Sequence, residues 1–315
     1  MKSLRRDALQ AQSLRTQAQV SKDRMQALQL EMLSRVEKVR TTPDDQLAQD
    51  FRTIKAMVRS LSRSIQIAPD VDVLAVLHSY DLASSISEHE WSTRGGRKRT
   101  VEAVIWSILA GQLFDHPFSI LGTSGPLTNH VWRNVFGEMH CGSWPVPTAQ
   151  CERWRYMTMD SAIKATGKVS MEDSNAKETP QHQTMAKVPV HVSEAIRSNL
   201  FMFAPAEDFA SVATIVSTIV DKAIGLAREM ALQRCRLQVT FPLDGEVYNP
   251  DCMETLSDPD GDDVEEGTVA YAINPGLTKW GDAHGENLDQ RLDVVPALVQ
   301  LEPKGMMGVK LEPQD

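Results

Sequence analysis

The chain has 315 residues, is 42% hydrophobic and 24% charged, and carries a net charge of −9. That composition suits a globular protein of one large or two modest domains, able to bury a core without disulfide staples. The acidic balance argues against general attraction to nucleic acid. Four scattered cysteines, Cys141, Cys151, Cys235 and Cys252, contain no CxxC pair, which excludes a disulfide framework or zinc ribbon and fits a reducing, intracellular compartment.

Residues 1–41 are rich in Gln, Arg, Leu, Met and Ala, with neither Gly nor Pro until Pro43. Such composition predicts a long helix. Leu4, Ala11, Ala18, Met25, Met32 and Val39 recur every seven residues, but of the companion positions Asp7, Leu14, Ser21, Leu28 and Arg35 only two are apolar. A coiled-coil arm and a surface helix packed on the body both remain open. No signal sequence or membrane anchor is expected at this end, nor any membrane-spanning run elsewhere.

A body then runs over 42–233. Thr42-Pro43-Asp44-Asp45 reads as a helix start, with Thr42 as N-cap, Pro43 at N1 and two carboxylates at the positive end of the dipole. Leu47, Phe51, Ile54, Val58, Leu61 and Ile65 follow at alternating spacings of four and three, a continuous apolar stripe that is either core or an oligomerisation face. SEHEWSTRGGRKRT is expected to be a polar loop, with Thr100 capping a buried helix, VEAVIWSILAGQLF, that stops before His116-Pro117. Residues 115–147 are Gly- and Pro-rich and are expected to be loops. A helix from Thr148 is expected to end at Gly167, and 168–189 to form a disordered loop. Helices resume over 191–203 and 206–233.

The apolar period then changes. CRLQVTF, GTVAYAINP and RLDVVPALVQLE predict three strands within 234–302, Pro296 marking an edge or bulge, before a disordered tail at 303–315. The expected fold is therefore mainly α, of the α+β class: an N-terminal helical arm, a helical body and a small antiparallel C-terminal β-segment.

EAVIWSILAGQLFD, ERWRYMTMDSA, FPLDGEVYNPD, DPDGDDVEEG and INPGLTKWGDAHGENLDQR occur in that order between Glu102 and Arg291, within a likeness that covers about residues 43–302. The ordered set resembles an uncharacterised family of filamentous-fungal (ascomycete) proteins with an N-terminal coiled coil, helical body and short C-terminal β-segment. His284 and Leu288 depart from its ADGENYDQR-like late loop. The resemblance implies a fungal, intracellular protein and supplies no activity or cofactor.

Candidate chemistry is sparse. AIKATGKV lacks the Ser or Thr that a phosphate loop needs after its Lys, and it ends a helix rather than opening one. The alternating Asp258, Asp260 and Asp262 lack the Gly and the Glu of a calcium loop. His130, His140, Cys141 and Cys151 lie at spacings foreign to structural zinc. Asp282, His284, Glu286 and Asp289 read as turn residues between strands, with Gly281 and Gly285 at the bends. No catalytic, cofactor-binding or metal-ligating residue is assigned, and no cofactor is expected.

Arg94, Arg97, Lys98 and Arg99 form a basic run before a helix, either an anion contact, a nuclear-import patch or a solvated loop. Val309-Lys310-Leu311-Glu312 fits a short SUMO-attachment pattern at Lys310. The leading expectation is a non-enzymatic interaction or scaffold protein that self-associates through its N-terminal helices, with unknown protein partners, no membrane contact and no direct nucleic-acid binding. A nuclear regulator of fungal gene expression is second. An enzyme with an unrecognised site in the 115–147 or 281–291 loops is third. The location is cytoplasm or nucleus.

Overall fold

The computed structural model describes residues 42–67, 86, 91–137, 144–172, 180–204, 209–256 and 266–302. The expected arm at 1–41, the Asp258–Asp262 alternation and Lys310 in the tail lie outside these residues. Within them the protein is α+β: six helices followed by two small sheets.

Helix α1 (Asp44–Ser64) turns its whole stripe inward. Leu47, Phe51, Ile54, Val58, Leu61 and Ile65 are all buried, with Phe51, Ile54 and Val58 fully so. They pack against α2 (Arg94–Leu109) and α6 (Phe209–Ala231), and Phe51 meets Trp106 at 5.4 Å between ring centroids. The oligomerisation reading of this stripe is thereby corrected: this chain's own helices occupy it. Thr42 is not the cap either. Its backbone N–H and hydroxyl donate to Gln233 and Glu229 at 3.1 and 3.0 Å, tying the start of α1 to the end of α6. The carboxylate of Asp44, in the first turn, accepts the Lys279 ammonium at 2.7 and 2.8 Å instead of serving the dipole alone.

Helix α2 starts seven residues earlier than expected, at Arg94 rather than Val101. Thr93 caps it, its hydroxyl accepting from the Gly96 N–H at 2.9 Å, so RGGRKR forms its first turns rather than a loop. Thr100, the expected cap, sits mid-helix and its hydroxyl donates to the Gly96 carbonyl. A π-turn (Ala110–Phe114) ends α2, and a 3₁₀ turn (Ser119–Ser124) leads into α3 (Gly125–Phe136). The expected 115–147 loops are therefore partly helical. Aromatic packing compensates for the Gly and Pro content: Phe118 stands edge-on to Trp132 and Trp154 at 5.6 and 5.8 Å.

Helix α4 (Ala149–Glu172) and α5 (Pro180–Phe203) overrun the expected 168–189 loop from both sides. The start of α5 has a tertiary reason to be helical. It docks on the 3₁₀ turn, where Thr184 donates to the Leu121 carbonyl, and a side chain at Gly122 would meet the Thr184 carbonyl oxygen at 2.5 Å. Along α6, Ala210–Ala231 is long and apolar enough by composition to cross a membrane. Here Val216, Ile219, Val220 and Ala223 line the core while Asp221 and Lys222 face outward.

The six strands are β1 (Arg236–Thr240), β2 (Met253–Thr255), β3 (Val269–Asn274), β4 (Gly276–Trp280), β5 (Arg291–Val295) and β6 (Ala297–Leu301). One sheet has the order β1-β4-β5, all antiparallel; the other is β2-β6-β3, with β2 parallel to β6. Strands β3–β4 and β5–β6 form one long hairpin broken at Pro275 and Pro296. A proline cannot donate to a ladder, so at these two positions the hairpin leaves one sheet and enters the other. Pro296 thus marks a break between strands, directly after the edge strand β5 and its register shift between Val295 and Asp293. Strands β2 and β4 were not expected. The Pro275-Gly276 dipeptide reads as a turn, yet Gly276 fits because a Cβ there would meet the Val295 carbonyl and the Ala297 N–H at 3.0 and 3.1 Å.

A buried ionic cluster joins the layers. Glu152 of α4 accepts from Arg155 at 2.6 Å and from Nε of Arg236 at 2.8 Å, all three residues at most 2% exposed. Arg155 also donates to the carbonyls of Ala231, Gln233 and Cys235 at 2.7–2.8 Å, capping the end of α6 and the approach to β1. Arg236 donates to the Pro145 carbonyl and lies over the rings of Trp132 and Trp144 at 5.5 and 5.6 Å. Replacing Glu152 by Ala leaves two buried guanidiniums without their counter-charge. Urea unfolding should show a loss of roughly 3–5 kcal/mol. Phe51→Ala should likewise cost about 3–5 kcal/mol by opening the core, with no change in oligomeric mass by light scattering; dissociation without destabilisation would contradict the core assignment of α1.

Candidate functional site

Where α1 ends and α2 begins, the two helices frame an open recess of about 680 Å³. Arg63, Ser64, Ile65, Gln66 and Ile67 line it from the end of α1, and Ser92, Arg94, Arg97 and Lys98 from the start of α2. Each feature has a local cause. Arg63 sits in the last turn of α1, where a cation suits the negative end of the dipole. The α2 side is the reverse: its first turn holds no acidic residue, and three cations stand at the positive end. Gly95 puts no side chain over the first-turn amides; of these the Gly96 N–H is already taken by the Thr93 hydroxyl.

The recess is electropositive with little internal compensation. Lys98 donates to the Arg63 carbonyl, and Arg97 donates through Nε to the Trp91 carbonyl at 2.8 Å while stacking on the Trp91 ring. Both bonds position the cations without neutralising them. Among the described residues no carboxylate pairs with Arg63, Arg94, Arg97 or Lys98. The ammonium of Lys98 is held below the ordinary lysine value, first by burial and then by the nearby Arg94 and Arg63. Arg99, the fourth cation expected in the basic run, lies half-buried and does not line the recess.

The other sequence candidates part company in the fold. The 281–290 connection is a built turn. Asp282 accepts from the backbone N–H of His284 and Glu286 at 2.9 and 3.0 Å and from the Asn287 amide at 3.1 Å, and these bonds hold its carboxyl below the ordinary range. Gly281 and Gly285 have φ of 83° and 81°, a conformation other residues adopt only with strain. His130 is bonded to Asn134 on the surface of α3, whereas Cys151 is buried, its thiol pushed up to about 11 chiefly by burial. Residues 162–166 of AIKATGKV are wound inside α4. Among the described residues no group of three His, Cys, Asp or Glu side chains converges as a metal site would require.

A second ionic cluster went unnoticed in the sequence. The Lys55 ammonium donates to the Pro296 carbonyl at 3.0 Å, at the bend of the hairpin. Beside it the buried Glu102 accepts from Asn274 at 2.8 Å and from Arg59 at 3.4 Å, and burial raises its carboxyl. A separate small void in the core, lined by Leu113, His116, Trp144 and Arg155 among others, has about 20 Å³, room for one water. Lys55 and Glu102 thereby hold α1 and α2 to the hairpin.

Burial lowers Lys55 from 10.5 to about 8, an effect that Glu254 opposes. The folded protein therefore binds this proton less tightly than the unfolded chain. The charge costs stability fully below about pH 8, and the cost is relieved as pH rises from there toward 10.5. The stability difference between Lys55→Met and wild type should shift in favour of wild type between pH 8 and 10 in urea titrations; a difference that stays flat would show an ordinary lysine. No family model, no curated protein and no solved structure matches this chain.

Proposed function

We propose that this is a non-enzymatic interaction protein that self-associates. The observation that supports it is an apolar ridge on α3. Leu127, Val131 and Val135, four residues apart, are 68%, 42% and 62% exposed. On a helix that spacing lines them up along one face. Single exposed apolar residues are ordinary; an aligned row of them is what a helix presents to another helix. The adjoining face of α3 is already covered, with Trp132 fully buried against Phe118 and Trp144.

A second copy of the chain is the occupant that fits. The ridge is short and self-complementary: two copies laid antiparallel about a two-fold axis bring the two Val131 side chains together and set each Leu127 against a Val135. His130 and Asn134 flank it with polar groups bonded to each other at 2.9 Å, and neither an acidic residue nor a Lys or Arg lies on the ridge itself. Three residues a side bury too little for a stable dimer alone. The heptad pattern of residues 1–41 is the natural second contact in this reading. A nuclear regulatory role would draw on RGGRKR, which is wound into α2 with Arg97 and Lys98 tied to backbone carbonyls, and on Lys310.

Multi-angle light scattering of the full chain should show a mass above the 35.0 kDa monomer at micromolar concentration. Leu127→Ser/Val135→Ser should weaken association by about tenfold or more while changing stability little, since both sites are exposed. A wild type that stays monomeric defeats the proposal. A variant that associates like wild type removes the ridge from it and leaves the contact to residues 1–41, which a 42–315 truncation then tests.

A further inference from the structure

We infer that the recess between α1 and α2 is a binding site for a small, multiply phosphorylated molecule. Four cations from two different helices line one cavity, and among the described residues none of them is paired with a carboxylate. In a chain of net charge −9, with 42 acidic side chains against 33 basic ones, such a cluster stays unneutralised only against the local trend. Four like charges around one recess repel one another, with Arg94 and Arg63 adding to burial in lowering Lys98, and a ligand of several negative charges would relieve that repulsion where a single carboxylate would leave most of it.

The chemistry around the cations is that of phosphate recognition. Arg63 and Arg94 carry planar forks that match phosphate oxygens in pairs, and Lys98 adds a point charge. The first-turn amides of α2, uncovered at Gly95, point the same way as the dipole. Ser64 and Gln66 supply neutral hydrogen-bonding groups at the rim, and Ile65 and Ile67 an apolar floor. A volume of about 680 Å³ falls in the range of small-molecule sites. The acidic remainder of the surface disfavours a long polyanion such as nucleic acid, which would have to run past it.

Isothermal titration of the full chain at fixed ionic strength, with inorganic phosphate, pyrophosphate and tripolyphosphate as probes, tests this. One saturable site is expected, tightening with each added phosphate. Arg94→Gln/Lys98→Gln should weaken tripolyphosphate at least tenfold, with its circular dichroism and light-scattering mass unchanged. Should that variant misfold, Arg63→Gln, at the end of α1, takes its place with the same expectation. Absence of saturable binding overturns the inference, as does binding that the variants leave intact. Neither result bears on self-association, whose readout is mass.

Discussion

The Glu152 carboxylate lies between two guanidiniums in a part of the protein that water does not reach, and much of the tertiary structure follows from that placement. A buried charge must be matched by charge or by hydrogen bonds, or it drives the chain open. One carboxylate does not balance Arg155 and Arg236. The excess positive charge is spread over the carbonyls of Ala231, Gln233, Cys235 and Pro145 and over the faces of Trp132 and Trp144. Those acceptors come from the end of α6, the approach to β1, the segment before α4, and α3. Satisfying one carboxylate therefore fixes how the helical layer meets the sheets.

The same logic separates the two apolar stripes of the helices. The stripe of α1 is continuous over five turns and enters the core, where α2 and α6 cover it. The ridge of α3 is shorter, on a helix already anchored by Trp132, and it stays outside. A continuous stripe in a sequence says only that something covers it. Which element does so depends on how the helices stack, and here the chain's own helices outcompete a partner. The cationic recess is a consequence of that stacking too, since it forms where the C-terminal end of α1 is brought against the N-terminal end of α2.

Much of the fold class was legible beforehand. The mainly helical body, the change of period near residue 235 and the late β-segment all follow from spacing that reports which face of an element is apolar. The turn at 281–290 was also legible, because Gly281 and Gly285 hold positive φ and Asp282 bonds its own backbone, both local properties. The misses share a cause. Strand β4 begins at a Pro-Gly pair and carries Lys279, yet β1 and β5 flank it and Asp44 neutralises its ammonium. The start of α5 has few large apolar residues, yet it docks on the 3₁₀ turn. RGGRKR looks like a loop, yet Thr93 caps it into α2. Of the recess, only its α2 cations stood out; Arg63, Ser64 and Gln66 are some thirty residues away and carry no motif.

What the sequence determined by itself, then, was local: the apolar face of α1 and the turn chemistry of 281–290. These depend on side-chain periodicity and on backbone conformations that only certain residues tolerate. The tertiary structure decided which stripe became core and which remained exposed, which carboxylate would pair with which guanidinium, and that four cations would share one recess. Those outcomes depend on contacts between residues as far apart as Glu152 and Arg236 or Asp44 and Lys279. Burial and charge pairing are properties of the packed whole, and no short window of the chain contains them.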